Sequence, residues 1–370
     1  MRIIIFIDGL RSGGKERRCI ELLKSLEDHP EYDIHIVSLR DEIVYPEFFS
    51  LKYPYHLIKK KNRDLSIFRK FYKLCKEIKP DIVHCWSSMN TTYALYAKVK
   101  LGFKIINSQI TDAPLHINWL SIFGLQTKLN FMFSDVILAN SRAGVQAYHP
   151  PQKKSTYIHN GFDLNRIKRM KSVDDIRKDL NIKTKYLIIM VGAFAERKDY
   201  QSYIEVAKDI CSERDDITFM GIGEGKDLEK FRDETKSYER IKLPGRLENI
   251  ESIINAADIC ILMSNGKVHG EGISNSIMEY MALGKPVIAS HSGGTPEIID
   301  HDHTGIIIPD KAKNDLKRHI SYLLQNDVQR ENMGLEGKNR IKEHFNLDRM
   351  ADRFMEVYNK TNDEHETFSN

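Results

Sequence analysis

Short, unbroken runs of β-branched and aliphatic residues recur along this chain, each followed by a longer amphipathic stretch. They fall at residues 3–7, 33–39, 81–85, 104–108 and 136–139, and again at 186–191, 217–221, 259–263, 286–289 and 305–308. A strand with one wet face alternates apolar and polar residues, whereas a continuous apolar run is buried on both faces. Separated by helical stretches, such runs specify parallel sheets covered by helices on each side, an α/β architecture. The rhythm pauses between Asn160 and Lys185, where the chain is polar and carries Arg166, Lys168, Arg169, Lys171, Arg177 and Lys178. A new strand–turn–helix unit begins at Tyr186. A chain of 370 residues is too long for one ordinary domain. The expected division is residues 1–163, residues 164–346 and a closing helical segment with a polar tail, 347–370, frayed from Thr361 onward. Doubly wound domains of this kind bind ligands at the carboxyl ends of their strands.

Charge narrows the partners. Against 56 Lys and Arg stand 52 Asp and Glu, a net +4. That excess does not point to nucleic acid. The basic residues cluster locally: between Lys52 and Lys79 there are ten Lys and Arg against Asp64 and Glu77. Residues 64–79 read as an amphipathic helix, with Leu65, Phe68, Tyr72 and Cys75 at helical spacing. Its basic side is either a solvated helix face or a peripheral membrane contact. The five cysteines are odd in number and form no CxxC, so free buried thiols in a reducing compartment are expected and no zinc site. The opening apolar run is a buried strand rather than a signal peptide. No run of ~18 apolar residues spans a membrane.

The densest chemistry lies in residues 270–289, GEGISNSIMEYMALGKPVIA. Glu271 and Glu279 are eight apart, which on one helix would set them ~80° from each other. The natural reading puts Glu271 in a loop, Ser274 or Asn275 at the N-cap and Glu279 in the second helical turn. The amides of Gly272, Ile273 and Ser274 and the helix start then suit a diphosphate. Glu279 can accept from ribose hydroxyls and Glu271 can reach a sugar ring; the plain alternative is two surface carboxylates on a capped helix. A second loop, residues 192–199, follows a strand and brings Arg197 and Lys198 to a helix start. Cations are disfavoured there unless an anion binds, so they are expected to neutralise a diphosphate.

Other motifs exclude functions. Gly9 to Lys15 fits GxxxxGK, but Glu16 stands where Mg²⁺ binding needs Ser or Thr, so an ATPase is rejected. The turn of Gly223 and Gly225 misplaces the third glycine of a dinucleotide fingerprint, which rejects an NAD enzyme. The triplet Asp300-His301-Asp302 falls in a surface turn and is not read as a metal site.

Taken together, the segment 270–289 resembles the EGxSNSxxEAMA…GxPVIA signature of the GT4 family of retaining glycosyltransferases of GT-B fold. Ser292-Gly293-Gly294, Thr304-Gly305, Ile158-His159-Asn160-Gly161-Phe162-Asp163, the 191–198 loop, the 81–84 strand end and Gly13-Gly14-Lys15-Glu16-Arg17 also stand in family order. The resemblance spans about nine tenths of the chain. It implies a GT-B fold, two Rossmann-like doubly wound parallel-sheet domains facing each other across a cleft, with an acceptor-binding first domain, a nucleotide-sugar-binding second domain and a last helix crossing back to the first. It implies a nucleoside-diphosphate sugar donor, UDP by family habit, and a glycan or lipid-linked acceptor of bacterial surface polysaccharide, at the cytoplasmic side or inner membrane face. Catalytic roles then fall to Glu271, Arg197 and Lys198. Donor contacts fall to Gly13, Gly14, Gly223, Arg246, Leu247, Gly272, Ile273, Ser274, Asn275 and Glu279. His84, Trp86 and Asp112 lie on the acceptor side, His84 having the alternative of a satisfied strand-end histidine. No metal or cofactor is implied, and the leaving phosphate takes the acceptor's proton. The sequence departs from the family pattern at Lys15 and Tyr280, each standing for Ala, at Ala193 for Arg, at Asp199 for Gly and at Trp86 for a second His. Two rivals share the fold or the ligand: a sugar-nucleotide epimerase and a non-catalytic sugar-nucleotide-binding protein.

Overall fold

The computed structural model describes residues 1–11, 13–60 and 64–366. It divides into two compact units, Met1–Gly161 together with the chain from Leu347 onward, and Phe162–Asn346. The break follows Gly161. The Phe162 amide donates to the Phe345 carbonyl at 2.8 Å, and the Phe162 ring is buried in the core of the second unit.

In the first unit the strands are β1 (Arg2–Ile7), β2 (Asp33–Ser38), β3 (Tyr55–Leu57), β4 (Ile82–Cys85), β5 (Lys104–Ile110), β6 (Val136–Ala139) and β7 (Ser155–Tyr157). Between them run α1 (Gly14–Leu26), α2 (Ser66–Ile78), α3 (Ser88–Leu101), α4 (Ile122–Phe133) and α5 (Arg142–Tyr148). All strand pairs are parallel, in the order β3-β2-β1-β4-β5-β6-β7. The chain winds outward from β1 to β3, then returns beside β1 and winds the other way. The run of isoleucines in β1 serves both faces: Ile3, Ile5 and Ile7 enter one core cluster, Ile4 and Phe6 the other.

The second unit repeats this plan. Its helices are α6 (Val173–Asp179), α7 (Tyr200–Glu213), α8 (Leu228–Thr235), α9 (Ile250–Asn255), α10 (Asn275–Ala282), α11 (Thr295–Ile298), α12 (Lys313–Gln325) and α13 (Asp327–His344). Its strands are β8 (Tyr186–Val191), β9 (Ile217–Ile222), β10 (Ile241–Gly245), β11 (Ile259–Leu262), β12 (Val287–Ser290) and β13 (Ile306–Ile308), ordered β10-β9-β8-β11-β12-β13 and again parallel. Leu187 and Ile189 of β8 face one core, Ile188 and Met190 the other.

Three strands escape the sequence reading, β3, β7 and β10, and all three are sheet edges. These three edge strands are short and buried on fewer sides, so they lack the continuous apolar run that the fourth edge strand, β13, still shows. Pro244 is tolerated in β10 for the same reason.

One expectation is corrected. The chain from Thr361 to Glu366 is helical rather than frayed, because α14 (Leu347–Glu366) seats Met350, Phe354, Tyr358 and Thr361 against the first unit. The apolar side of α2 turns inward, where Ile67, Phe71, Cys75 and Ile78 are buried in the core with Phe103 and Ile105. Its outward face carries Arg69, Lys70, Lys73 and Lys76. Lys61, Asn62 and Arg63 of that basic stretch, and residues 367–370 of the tail, lie outside the described residues. All five cysteines are free and buried. Among the described residues no helix is long and apolar enough to cross a membrane.

Candidate active site

The polar constellation of the second unit forms where β8, β9 and β11 end. The loop after β8 is laced to the turn after β9: the Gly192 amide donates to the Ile222 carbonyl at 2.9 Å and the Phe194 amide to the Glu224 carbonyl at 2.9 Å. Gly223 makes this possible, since a Cβ there would stand 2.0 Å from the Gly192 carbonyl oxygen. The other side of the loop docks on β11, the Asn265 amide donating to the Arg197 carbonyl at 3.0 Å. Asp199, the departure from the usual glycine, caps α7 by accepting from the Ser202 amide at 3.1 Å.

α10 fixes the end of β8 from the third side. Ser274 is its N-cap. In its first turn the Ser276 hydroxyl donates to the Val191 carbonyl at 3.1 Å, and in its second the Tyr280 hydroxyl accepts from the Val191 amide at 2.7 Å. The replacement of alanine by Tyr280 therefore fills core volume and terminates the strand just before Gly192. Tyr280 is fully buried.

These fixed loops bring Lys198 and Glu271 together, 73 residues apart in sequence. Lys198 Nζ meets Glu271 Oε1 at 2.5 Å, and the Ser264 hydroxyl donates to the same oxygen at 2.6 Å. Burial works to raise the Glu271 carboxyl, but the adjacent Lys198 ammonium and the Ser264 hydroxyl outweigh it and hold the group below the ordinary carboxylate range. The Glu271 backbone is clamped as well. Its amide donates to Ser292 Oγ at 3.1 Å, and its carbonyl accepts from the Gly294 amide at 2.8 Å. A Cβ on Gly293, at φ +47°, would lie 2.0 Å from that carbonyl oxygen, so the Ser-Gly-Gly turn exists to seat Glu271.

Glu279 has its own cation. Arg166 donates to Glu279 Oε1 at 2.8 Å and, through Nε, to Glu251 Oε1 at 2.9 Å, while its guanidinium lies over the Phe162 ring. Glu279 Oε2 meets no donor among the described residues. Arg197 is exposed at the loop surface, and Arg246 is exposed beyond β10 beside the half-buried Leu247.

Two family models match the chain, "glycosyltransferase family 4" over residues 12–166 and "glycosyl transferases group 1" over residues 172–340. The chain belongs to the family-4 glycosyltransferases. It is 26% identical to the uncharacterized glycosyltransferase MJ1069 of Methanocaldococcus jannaschii over 94% of this chain and 95% of that protein. It is also 26% identical to the UDP-Gal:alpha-D-GlcNAc-diphosphoundecaprenol alpha-1,3-galactosyltransferase of Escherichia coli, over 80% of this chain and 79% of the relative. Among solved structures, HepE of Anabaena in complex with UDP-glucose superposes with a TM-score of 0.85 at 17% identity, covering 97% of this chain and all of that one. The fold is GT-B, and the chain is a glycosyltransferase of that type.

The first unit of the glycosyltransferase holds the remaining expected residues. Gly13 and Gly14 open α1, with the Gly13 amide bonded to the Tyr45 hydroxyl at 3.0 Å. Lys15, where the family has alanine, pairs with Asp8 at 3.3 Å. Asp112 accepts from the Tyr148 hydroxyl at 2.9 Å.

His84 and Trp86 require a correction. His84 is 0% and Trp86 1% exposed, so neither can touch an acceptor. Nδ1 of His84 pairs with the Tyr358 hydroxyl at 2.8 Å and Nε2 with the Ser108 hydroxyl at 2.7 Å. The alternative reading of a satisfied strand-end histidine is the correct one. Burial, reinforced by the nearby Arg18 cation, pushes the imidazole well below its ordinary value and keeps it neutral. Arg18 was missed by sequence reasoning. It is buried beside the stacked Trp86 and Phe354 rings, donates to the Ile158 carbonyl at 2.5 Å and meets no carboxylate among the described residues.

Arg166, Glu251, Ser264 and the Tyr280 hydroxyl were also missed. Arg166 carried one usable signal, its place three residues after the Asp163 of a family motif. Glu251 lies 85 residues from Arg166 and has no motif of its own, Ser264 precedes the signature by six residues, and Tyr280 showed only as a departure from alanine, its hydroxyl's partner being 89 residues away.

Proposed function

We propose that this glycosyltransferase is a retaining enzyme that moves a hexosyl group from a UDP-sugar to a glycan or lipid-linked acceptor in bacterial surface polysaccharide synthesis. The observation that carries this reading is the convergence of the Lys198–Glu271 pair, the Arg166–Glu279 pair and the start of α10 at the strand ends of one sheet. Departure of a nucleoside diphosphate from an anomeric carbon demands stabilisation of the leaving charge, and fixed cations with a helix N-terminus provide it. In this reading Lys198 and the exposed Arg197 neutralise the pyrophosphate and the backbone of Gly272, Ile273, Ser274 and Asn275 cradles it. Glu279 accepts from the ribose hydroxyls through Oε2 while Arg166 holds Oε1. Glu271 faces the transferred sugar, Gly223 closes the turn beside the diphosphate, and the turn of Arg246 and Leu247 holds the base. Asp112 is the remaining acceptor-side residue. The UDP preference draws support from HepE with UDP-glucose and from the galactosyltransferase named above. Placement at the inner membrane face accords with the diphosphoundecaprenol acceptor in that relative's name.

A thermal-shift panel of UDP- and GDP-sugars tests the donor. A bound ligand at ~100 times its Kd adds about 2.7 kcal/mol, and Glu279→Ala loses most of that shift. An undiminished shift in both Glu279→Ala and the double variant Arg197→Ala, Lys198→Ala removes the site assignment. Release of UDP only in the presence of acceptor, with the anomeric configuration kept in the product by NMR, supports the transferase reading. Turnover without acceptor would mean an epimerase, and binding without UDP release a non-catalytic protein.

A further inference from the structure

Helix α4 is built the opposite way round from its neighbours. Its inward residues are Gly124, Thr127, Asn130 and Phe131. Asn130 Nδ2 donates to the Ser88 carbonyl at 2.9 Å and Gln109 Oε1 at 3.0 Å, and Asn130 Oδ1 accepts from the Thr92 hydroxyl at 3.0 Å. A Cβ on Gly124 would stand 2.4 Å from the Asn118 carbonyl oxygen, so the preceding loop lies tightly on the helix. The polar side is thus locked inward. Ile122, Leu125, Leu129 and Met132 fall within about 80° of one another at helical periodicity and face out. Ile122 is 87% exposed, and Leu120 in the leading loop 85%. Side chains standing so far clear of the surface form no half-built pocket for a partner's side chains, but they can enter a fluid apolar layer.

The charge around this face has one sign. Residues 113–134 contain no carboxylate, and residues 88–134 contain one, Asp112, against Lys98, Lys100, Lys104 and Lys128. Lys98 and Lys104 answer Asp135, while Lys100 and Lys128 are exposed. Lys128 lies over the ring of the half-buried Trp119, 5.7 Å from its centroid. An apolar face edged by lysine and tryptophan matches the layering of an acyl boundary beneath anionic headgroups. A second copy seated on this face by the same stretch would bring no carboxylate of residues 113–134 to answer the lysines.

We propose that α4 and the loop before it dock the first unit on an anionic lipid bilayer, with the apolar side chains entering the acyl boundary and Lys100 and Lys128 meeting headgroup phosphates. The inference shares the membrane-face setting of the proposed function but uses no donor-site residue, so vesicle binding and sugar transfer can fail independently.

Co-sedimentation of the full chain with phosphatidylglycerol–phosphatidylethanolamine vesicles tests it. Binding is expected, weaker with phosphatidylcholine alone and weakened by salt. The chain has two tryptophans and Trp86 is buried, so a blue shift of emission on binding reports Trp119. The triple variant Ile122→Ser, Leu129→Ser, Met132→Ser should bind at least ~10-fold more weakly, with an unchanged melting temperature because the replaced groups are exposed. Lys100→Ala with Lys128→Ala should remove the preference for anionic lipid. Absence of vesicle binding at low salt, or equal binding by the triple variant, overturns the proposal. So does a concentration-dependent dimer that the triple variant abolishes, which would make a second copy the occupant.

Discussion

The two sheets share a winding pattern and finish differently at their carboxyl edges. At β8 and β11 the buried charges are matched: Glu271 faces Lys198, and Glu279 and Glu251 share Arg166. At β4 the strand end is sealed by rings. His84 is held between Tyr358 and Ser108, and Arg18 lies beside the Trp86 and Phe354 rings with no carboxylate in reach among the described residues. The difference traces to α14, which brings Phe354 and Tyr358 onto the first sheet. A parallel sheet's carboxyl edge is a site only where the following segments leave polar groups at it, and here a helix distant in sequence fills one edge with aromatic rings.

The sharpest way to break this comparison is to remove one partner of the matched pair. Lys198→Ala leaves the Glu271 carboxylate buried without its cation, held only by the Ser264 hydroxyl, and should cost about 3–5 kcal/mol of stability and about 10²–10³-fold in turnover. Adding Glu271→Gln should restore most of the stability and none of the turnover, as denaturant titrations and UDP-release assays would show. Full activity in Lys198→Ala would end the claim that this edge is the chemical one.

The sealed edge should behave in the reverse manner. Tyr358→Phe leaves the buried His84 nitrogen without its partner, at a cost of about 1–3 kcal/mol, with kcat and KM unaltered. A KM change there would reopen an acceptor role for His84.

Acid should separate the two edges in pH. The native His84 pKa lies well below its unfolded value of about 6.5. Below that pH the unfolded chain binds a proton that the native state refuses, so stability falls by about 1.4 kcal/mol per unit of pH. Glu271 is depressed from an unfolded value of about 4.3. Its contribution is present above that value and is lost only as pH falls through the lower native pKa. Hydrogen exchange should therefore show protection around β4 weakening between pH 6.5 and 5, about one unit or more before protection around Glu271 does. Simultaneous loss would refute the contrast.

The smallest effect concerns the link between α10 and β8. Tyr280→Phe removes one buried hydrogen bond to the Val191 amide and should cost about 1–2 kcal/mol, with a lower donor affinity because the Gly192 loop loosens.

Much of the fold was legible because burial on both faces leaves a sequence trace. The central strands of each sheet show as apolar runs, and of the four edge strands only β13 does. The loop position of Glu271 and the N-cap at Ser274 were readable because capping is local chemistry, decided within four residues. Arg166 was visible only as one basic residue among several, since nothing in a linear sequence says which carboxylate a guanidinium will meet. His84 kept two readings in the sequence because its fate depends on Tyr358, 274 residues away. The orientation of α4 was equally hidden, since periodicity alone does not say which face of a helix turns inward.

The sequence by itself determined two parallel-sheet units, the glycine turns at their strand ends, and the residues that family order assigns to a sugar-nucleotide site, because periodicity and turn chemistry act over a few residues. Only the tertiary structure decided which charges pair, which histidine is sealed away and which helix shows its apolar side to the outside. Those outcomes depend on contacts between segments far apart in the chain, where packing and desolvation rather than local preference set the energy.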